Sequence, residues 1–480
     1  MSKVLLIIPP LPERSYPGKF MGVDYLATAL VRKNHKVKIL DLDIYFCRGQ
    51  NVIEILQSEI LKYEPQLVGI TNLSIQNDIA NYLAWMTKKI RPSTIVVKGG
   101  FHEITGWQYT LELHNEYVDA VVVGDGEVVI QEIADAIDKK NWDKKKQEIP
   151  SLAWWNGKKA VLNKGCRYEI NFNDYIPTRI NYFPEYNFEV FNFQKTAQVM
   201  TYRGCPYNCA FCSEAFFPSK VAQRTIEYVI EEFDLLKNDS YKAIYFDDST
   251  FTLFKDRALT IVNEVYKRNF IWGCNTRVDL LPDDLIYEFG RKNCRYLFCG
   301  VESFVPEILL AMNKTRTPDK YLMEIPRVYK GLREANISPS IFLIFGNARK
   351  EKNGTIIPEK WDDIEYCIRQ AISLDVDYIS LNILRLLPEV SFSISKEYSP
   401  IRPDNEEIIH AGHYDLKWYY LNGKKDIRSL HPIFRCFEGA RSVNPKFVTP
   451  EYAYNIIKLA IELVNRHNID SAIQTRIVVD

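Results

Sequence analysis

Tyr202-Arg203-Gly204-Cys205-Pro206-Tyr207-Asn208-Cys209-Ala210-Phe211-Cys212 sets three cysteines, spaced C-x3-C-x2-C, on a Gly/Pro loop. The loop follows Gln198–Tyr202, which reads as a strand. Three thiolates on so short a loop can wrap one face of a cubane 4Fe-4S cluster. Electron-transfer clusters usually take four cysteines. Three leave one iron open to another ligand, by the logic of catalytic zinc sites that keep a free position. A structural zinc site is the alternative, but it needs a fourth ligand. The next cysteine is Cys274, and no His lies between it and Cys212. The remaining cysteines (Cys47, Cys166, Cys274, Cys294, Cys299, Cys367 and Cys436) are scattered and read as small buried hydrophobes.

Downstream of the loop, strand and helix alternate. Ala243–Phe246, Ile271–Asn275, Tyr296–Val301, Ser340–Phe345 and Tyr378–Leu384 continue the strands that Gln198–Tyr202 begins. Helical spacing fills the gaps at Ile226–Lys237, Arg257–Lys267, Asp283–Arg291, Leu322–Ala335 and Trp361–Ser373. Six strands and five helices predict a partial (β/α)6 barrel over residues 196–390, with its chemistry at the carboxyl ends of the strands.

Upstream, residues 1–145 alternate in the same way. Strands are expected at Lys3–Ile8, Val37–Asp41, Leu67–Leu73, Thr94–Lys98 and Ala120–Val123, which predicts a doubly wound parallel sheet. Pro10, Ser74, Gly99, Gly100, His102, Gly124, Gly126 and Glu127 all fall in loops leaving its carboxyl edge, where such sheets bind ligands. No G-x-G-x-x-G follows the first strand, so a dinucleotide is not the expected ligand. Residues 146–195 read as a connector with a hairpin at Asn156-Gly157. Residues 391–480 form a small, mostly helical substrate-shaping region containing Trp418-Tyr419-Tyr420 and one clear helix, Pro450–Asn468. The roles of Arg435 and Cys436 stay open, with a buried Cys as the default.

Lys+Arg and Asp+Glu both count 61, which argues against a dedicated nucleic-acid or anionic-membrane surface. No segment reaches the ~20 apolar residues of a membrane helix. The chain is therefore expected in the cytoplasm.

The cysteine loop, with Phe211 before the third cysteine, resembles the radical S-adenosylmethionine enzymes. Tyr245-Phe246-Asp247-Asp248-Ser249-Thr250-Phe251, Trp272–Arg277, Gly300-Val301-Glu302-Ser303 with Met312-Asn313-Lys314, and Phe342–Gly346 are similar to successive strands of the subgroup that carries an N-terminal cobalamin-binding domain. Ile8-Pro9-Pro10, Gly99-Gly100-Phe101-His102 and Val123–Glu127 stand where that subgroup has its PP, GG-x-H and GEGE segments. Asn347-Ala348-Arg349 departs from the subgroup's usual G-x-P-G-E continuation.

The resemblance implies a 4Fe-4S cluster on Cys205, Cys209 and Cys212, bound S-adenosylmethionine, and cobalamin. No D-x-H motif occurs, so cobalamin is expected without a His ligand from the protein. Asp247 and Asp248 would meet the amino group of the methionine moiety, or cap the next helix. Arg224 and Arg277 would meet its carboxylate, or form surface ion pairs. Glu302, Ser303 and Ser340 would also line that site; a buried ion pair and an ordinary strand serine are the plainer readings for Glu302 and Ser340.

The expected reaction is hydrogen abstraction from an unactivated carbon, followed by methyl transfer from methylcobalamin to a small-molecule or lipid-like substrate. An external electron donor of the flavodoxin or ferredoxin class is implied. Radical ring contraction, cyclisation or rearrangement without methylation is one alternative. A non-catalytic metal-binding interaction protein is the other.

Overall fold

A computed structural model describes residues 1–11, 20–164, 173, 175–177, 179–212, 214, 221–384, 450–470 and 476–479. Trp418-Tyr419-Tyr420, Arg435, Cys436 and Cys166 lie outside the described residues.

The first sheet contains β1 (Lys3–Ile8), β2 (Lys36–Asp41), β3 (Leu67–Thr71), β4 (Ile95–Gly99), β5 (Ala120–Val122), β6 (Leu152–Trp155) and β7 (Ala160–Leu162). Its spatial order is β2-β1-β3-β4-β5-β6-β7. The first five strands are parallel. Helices α1 (Met21–Arg32), α2 (Leu42–Cys47), α3 (Val52–Tyr63), α4 (Asn77–Ile90), α5 (Glu103–His114), α6 (Glu127–Asp138) and α7 (Trp142–Lys145) connect and flank them. Val4–Ile8 of β1 is an unbroken apolar run because both faces of the strand are covered. Leu5 and Ile7 pack with Leu56 and Leu83, while Val4, Leu6 and Ile8 pack with Ala27, Leu30, Val129 and Ile133. The strand order reverses between β1 and β3, so the binding crevice of this sheet opens between their carboxyl ends.

The expected hairpin forms at Asn156-Gly157. Asn156 Oδ1 accepts from the N–H groups of Lys158 and Lys159, each at 3.0 Å, and Gly157 has φ +90°. Its two strands pair antiparallel with the edge of the first sheet. That sheet therefore runs to Leu162, beyond the limit of 145 read from the sequence.

The second sheet contains β8 (Thr196–Val199), β11 (Ala243–Phe246), β12 (Ile271–Thr276), β13 (Cys294–Glu302), β14 (Ser338–Phe345), β17 (Tyr378–Ile383) and β18 (Arg476–Val479). They lie side by side in that order, all parallel. Two short ribbons sit outside it: β9 (Tyr202–Arg203) with β10 (Ala222–Gln223), and β15 (Ala348–Lys350) with β16 (Ile356–Pro358). Helices α8 (Ile226–Asn238), α9 (Lys255–Lys267), α10 (Asp283–Arg291), α11 (Pro306–Ala311), α12 (Pro318–Glu334), α13 (Trp361–Ser373) and α14 (Pro450–Asp470) complete the chain.

The expected six strands become seven. The added strand, β18, comes from the C-terminal region that the sequence suggested was mostly helical. α14 forms as expected, but it delivers Ile456, Ala460, Leu463 and Val464 into the same core as Ile364 and Ile368 of α13.

The connector closes the amino end of this partial barrel. Phe188 stacks on Tyr245 at 4.9 Å, and both belong to an apolar cluster with Phe191, Tyr296 and Phe298.

Candidate functional site

The cysteine loop leaves the carboxyl end of β8 and is fixed from beneath by Asp248. Its carboxylate accepts from the Thr201 N–H (2.6 Å), the Thr201 hydroxyl (2.6 Å) and the Tyr202 N–H (3.1 Å). Burial pushes its pKa up to about 6, against the pull of those three bonds. Asp248 is thus an anchor for the loop. Neither it nor Asp247 caps α9, whose N-cap is Phe254. Asp247 follows Tyr245 on the inner face of β11 by strand alternation, and its N–H donates to the Val199 carbonyl at 2.9 Å.

Arg277 fastens the loop from the side. Its guanidinium bonds both oxygens of Asp279 (3.0 and 2.9 Å) and the Lys314 carbonyl (2.9 Å), and lies 4.0 Å from the centre of the Tyr207 ring. Nη1 sits 3.8 Å from Cys209 Sγ. The Ala210 N–H donates to the Met312 carbonyl, and Asn313 Nδ2 to the Asn208 carbonyl, both at 2.8 Å. Arg277 is therefore engaged by the loop and its supports, where a partner in the methionine carboxylate was expected. Arg224 is also spoken for. It pairs with Glu232 in a buried triad with Arg179, and donates to the carbonyls of Met200 and Tyr228. Burial at this depth leaves it a structural cation.

Glu302 ends β13 with φ +72°, a conformation that non-glycine residues rarely adopt. Its Oε1 is paired with Lys314 Nζ at 2.9 Å, and both side chains are buried. A Cβ on Gly300 would collide with that carboxylate oxygen, so a larger residue there would displace the Glu302 side chain. The plainer of the two sequence readings, a buried ion pair, is what Glu302 makes. Ser303 faces away. Its hydroxyl accepts from the Val305 N–H (3.1 Å) and lies 3.5 Å from Cys367 Sγ, at the start of α11. Ser340 is buried on the inner wall, and among the described residues its Oγ has no hydrogen-bond partner. Gln198 Oε1 is another unpartnered buried oxygen. In place of the missing G-x-P-G-E continuation, the β15–β16 ribbon returns Glu359 to the end of β14. Its carboxylate accepts from the N–H groups of Gly346 (2.6 Å) and Asn347 (3.2 Å).

On the first sheet, Gly100 has φ +109°, and a Cβ there would stand 2.7 Å from the Asn72 carbonyl oxygen. Gly124 has φ +110° and Gly126 precedes α6. Ser74 Oγ holds His102 Nδ1 at 2.9 Å, and a Cβ on Gly106 would stand 2.7 Å from His102 Nε2. His102 is thus packed onto its own helix. Gln76 Nε2 donates to the Pro9 carbonyl at 2.7 Å, bridging the loops after β1 and β3.

Sequence reading missed the buried pair Lys98–Glu103 (2.9 Å), held by Asn81 (2.6 Å), Asn77 (3.1 Å) and Asn72 (2.7 Å). A lysine ending an apolar strand was the available signal. Among the described residues, Asn72 Oδ1, Gln76 Oε1 and Glu103 Oε2 are buried without partners. Such orphaned acceptors suit a ligand whose rim carries amide N–H donors, as the corrin rim does.

Burial raises the Cys205 thiol and pushes Cys212 up to about 12, and the ionised neighbouring cysteines raise both further. Three thiolates would coexist here only around a cation. Among the described residues no three His, Cys, Asp or Glu side chains converge as the ligands of one ion do. The fit to an iron–sulfur cluster rests on the donor set: three soft sulfurs on one loop, with a cationic guanidinium beside the second.

The loops of the two units meet at Arg203. It pairs with Glu127 at 2.6 Å and Asp125 at 3.5 Å, and lies 4.6 Å from the centre of the Tyr25 ring. Glu127, expected at the cofactor, is turned to Arg203.

The Radical SAM superfamily matches residues 199–347, and the B12 binding domain family matches residues 13–134. The chain is 30% identical over 405 residues to an uncharacterized methyltransferase, PH0819, of Pyrococcus horikoshii, covering 80% of this chain and 81% of that protein. It is 24% identical over 319 residues to the anaerobic magnesium-protoporphyrin IX monomethyl ester cyclase of Cereibacter sphaeroides, covering 64% and 51%. Its fold is similar to that of the radical S-adenosylmethionine methyltransferase TsrM from Kitasatospora setae. The TM-score is 0.69 and the identity 18%, over 97% of this chain and 89% of that one. The cobalamin-dependent radical enzyme OxsB gives a TM-score of 0.60 at 17% identity, over 77% and 51%. With a three-cysteine loop at the open end of one sheet and a glycine-lined crevice on the other, the chain belongs to the radical S-adenosylmethionine enzymes that carry an N-terminal B12-binding domain.

Proposed function

We propose that this protein is a cobalamin-dependent radical C-methyltransferase acting on a small-molecule or lipid-like substrate, with electrons from a flavodoxin- or ferredoxin-like donor in the cytoplasm. Bound together, a 4Fe-4S cluster, S-adenosylmethionine and cobalamin supply a hydrogen-abstracting 5′-deoxyadenosyl radical and a transferable methyl group. The observation that carries the reading is the meeting of the two carboxyl-end loops, Gly124–Glu127 and Tyr202–Cys212, at Arg203.

Cys205, Cys209 and Cys212 would ligate the cluster, with Arg277 and Asp248 holding their loop. Asp247, Ser340 and Gln198 offer polar atoms on the inner wall to S-adenosylmethionine, and the Glu302–Lys314 pair borders them. The aromatic floor of Tyr245, Phe188 and Phe298 excludes water from below. Pro10, Gly99, Gly100 and Gly124 would let the corrin approach backbone closely, over the orphaned oxygens of Asn72 and Gln76. Relatives named as methyltransferases favour methyl transfer; the relative named as a cyclase favours ring formation as the second reading.

Anaerobic purification with an iron count and an absorbance spectrum tests both cofactors. Turnover should yield 5′-deoxyadenosine and S-adenosylhomocysteine together, with the product heavier by one CH2. 5′-Deoxyadenosine alone would rule out methylation, and an unchanged carbon count would favour cyclisation. No predicted membrane helix complicates the preparation: among the described residues none is long and apolar enough to cross a bilayer.

A further inference from the structure

We propose that Arg203 is a positioning residue: with Glu127 and Asp125 it forms a clamp that sets the geometry between the cysteine loop and the crevice of the first sheet. The inference rests on the proposed use of both cofactors in one reaction. Arg203 lies two residues before Cys205, on β9. Its neighbours are rigid, since Asp248 holds Thr201 and Tyr202 and β10 pairs with Arg203 itself. Across the interface, Glu127 begins α6, directly after the loop that leaves β5, and its side chain is only 4% exposed. The guanidinium also lies over the ring of Tyr25, a fully buried residue of α1.

Three other polar ties between the units end on the connector: Thr28 donates to the Ile176 carbonyl, Tyr186 to Asp41, and Arg48 to Glu185. They hold the units together without specifying where the cysteines stand. A buried ion pair adds little net stability over an apolar pair of the same shape, but it penalises every arrangement that separates the charges. That property suits a part whose task is alignment.

The test uses the full chain, reconstituted anaerobically with iron and sulfide, with and without hydroxocobalamin. Arg203→Gln is compared with Arg203→Gln/Glu127→Gln, which leaves no lone buried charge at that pair, and with the conservative Arg203→Lys. In the unaltered protein, hydroxocobalamin should slow amide exchange in residues 99–127 and also in residues 199–212. In the double variant the first effect should persist and the second disappear, with iron content unchanged. The ratio of S-adenosylhomocysteine to 5′-deoxyadenosine should fall about tenfold, within the scale on which ångström misplacements act, and Arg203→Lys should recover part of it. Protection still transmitted in the double variant, at an unchanged ratio, overturns the clamp. Loss of iron in that variant overturns it too, by making Arg203 a folding element of the loop. Absence of protection in residues 99–127 of the unaltered protein defeats the cobalamin reading itself, and the clamp with it.

Discussion

Four carboxylates at the open end of the second sheet have four uses, decided by what surrounds each. Asp248 accepts three bonds and anchors the loop, Glu302 pairs with Lys314, and Asp279 holds Arg277. Among the described residues no cation lies in hydrogen-bonding range of Glu359, and burial pushes it from 4.5 to about 8. The native state therefore binds this proton more tightly than the unfolded chain does. The stabilisation is full below about 4.5 and is lost as pH rises through about 8. Glu359→Gln keeps an acceptor for the Gly346 and Asn347 N–H groups but cannot titrate. The Tm of the unaltered protein should fall relative to that of the variant as pH rises from 5 to 9. A constant difference in thermal melts across that range would show that Glu359 does not titrate there.

Arg277 makes a second prediction at this scale. Arg277→Ala removes the bonds to Asp279 and to the Lys314 carbonyl, and leaves Cys209 without its neighbouring cation. Iron retained after desalting should fall well below that of the unaltered protein, while Arg224→Ala should instead lower Tm. The sequence placed both arginines near the site. It could not separate them, because the partner of each, Asp279 or Glu232, is chosen by the fold.

At the scale of elements, periodicity carried far. Five strands of the first sheet and six of the second were readable because parallel strands buried on both faces are continuous apolar runs. The hairpin at Asn156-Gly157 was readable because its turn demands a positive φ. The plug formed by Phe188 and Phe191 was not: it lies in irregular chain, where apolar residues show no period. Its tightness can be measured. A Cβ on Gly273 would stand 2.6 Å from the Tyr296 carbonyl oxygen and 3.1 Å from Phe191 Cζ. Gly273→Ala should cost ~1–3 kcal/mol by overpacking, read as a lower urea midpoint at unchanged m-value. An equal midpoint would mean that the floor yields easily.

For the whole molecule, residues 450–480 supply an edge strand and a covering helix. Removing residues 450–480 takes away β18 and α14, baring the edge of β17 and the face of α13 that packs on Ile456 and Leu463. An exposed parallel edge beside an uncovered apolar face favours association, so the truncated protein should elute as aggregate in size-exclusion chromatography. A monodisperse, folded peak would show that α14 and β18 are dispensable. By itself the sequence determined the three-cysteine loop, both α/β units and the absence of a D-x-H motif, since local spacing and periodicity express ligand sets and strand faces directly. The tertiary structure alone decided that β18 completes the sheet, that Arg224 and Glu302 are held in buried ion pairs, and that Glu127 meets Arg203 across the interface. Those outcomes depend on which charges are buried together, and burial joins residues 76 positions apart that no local pattern relates.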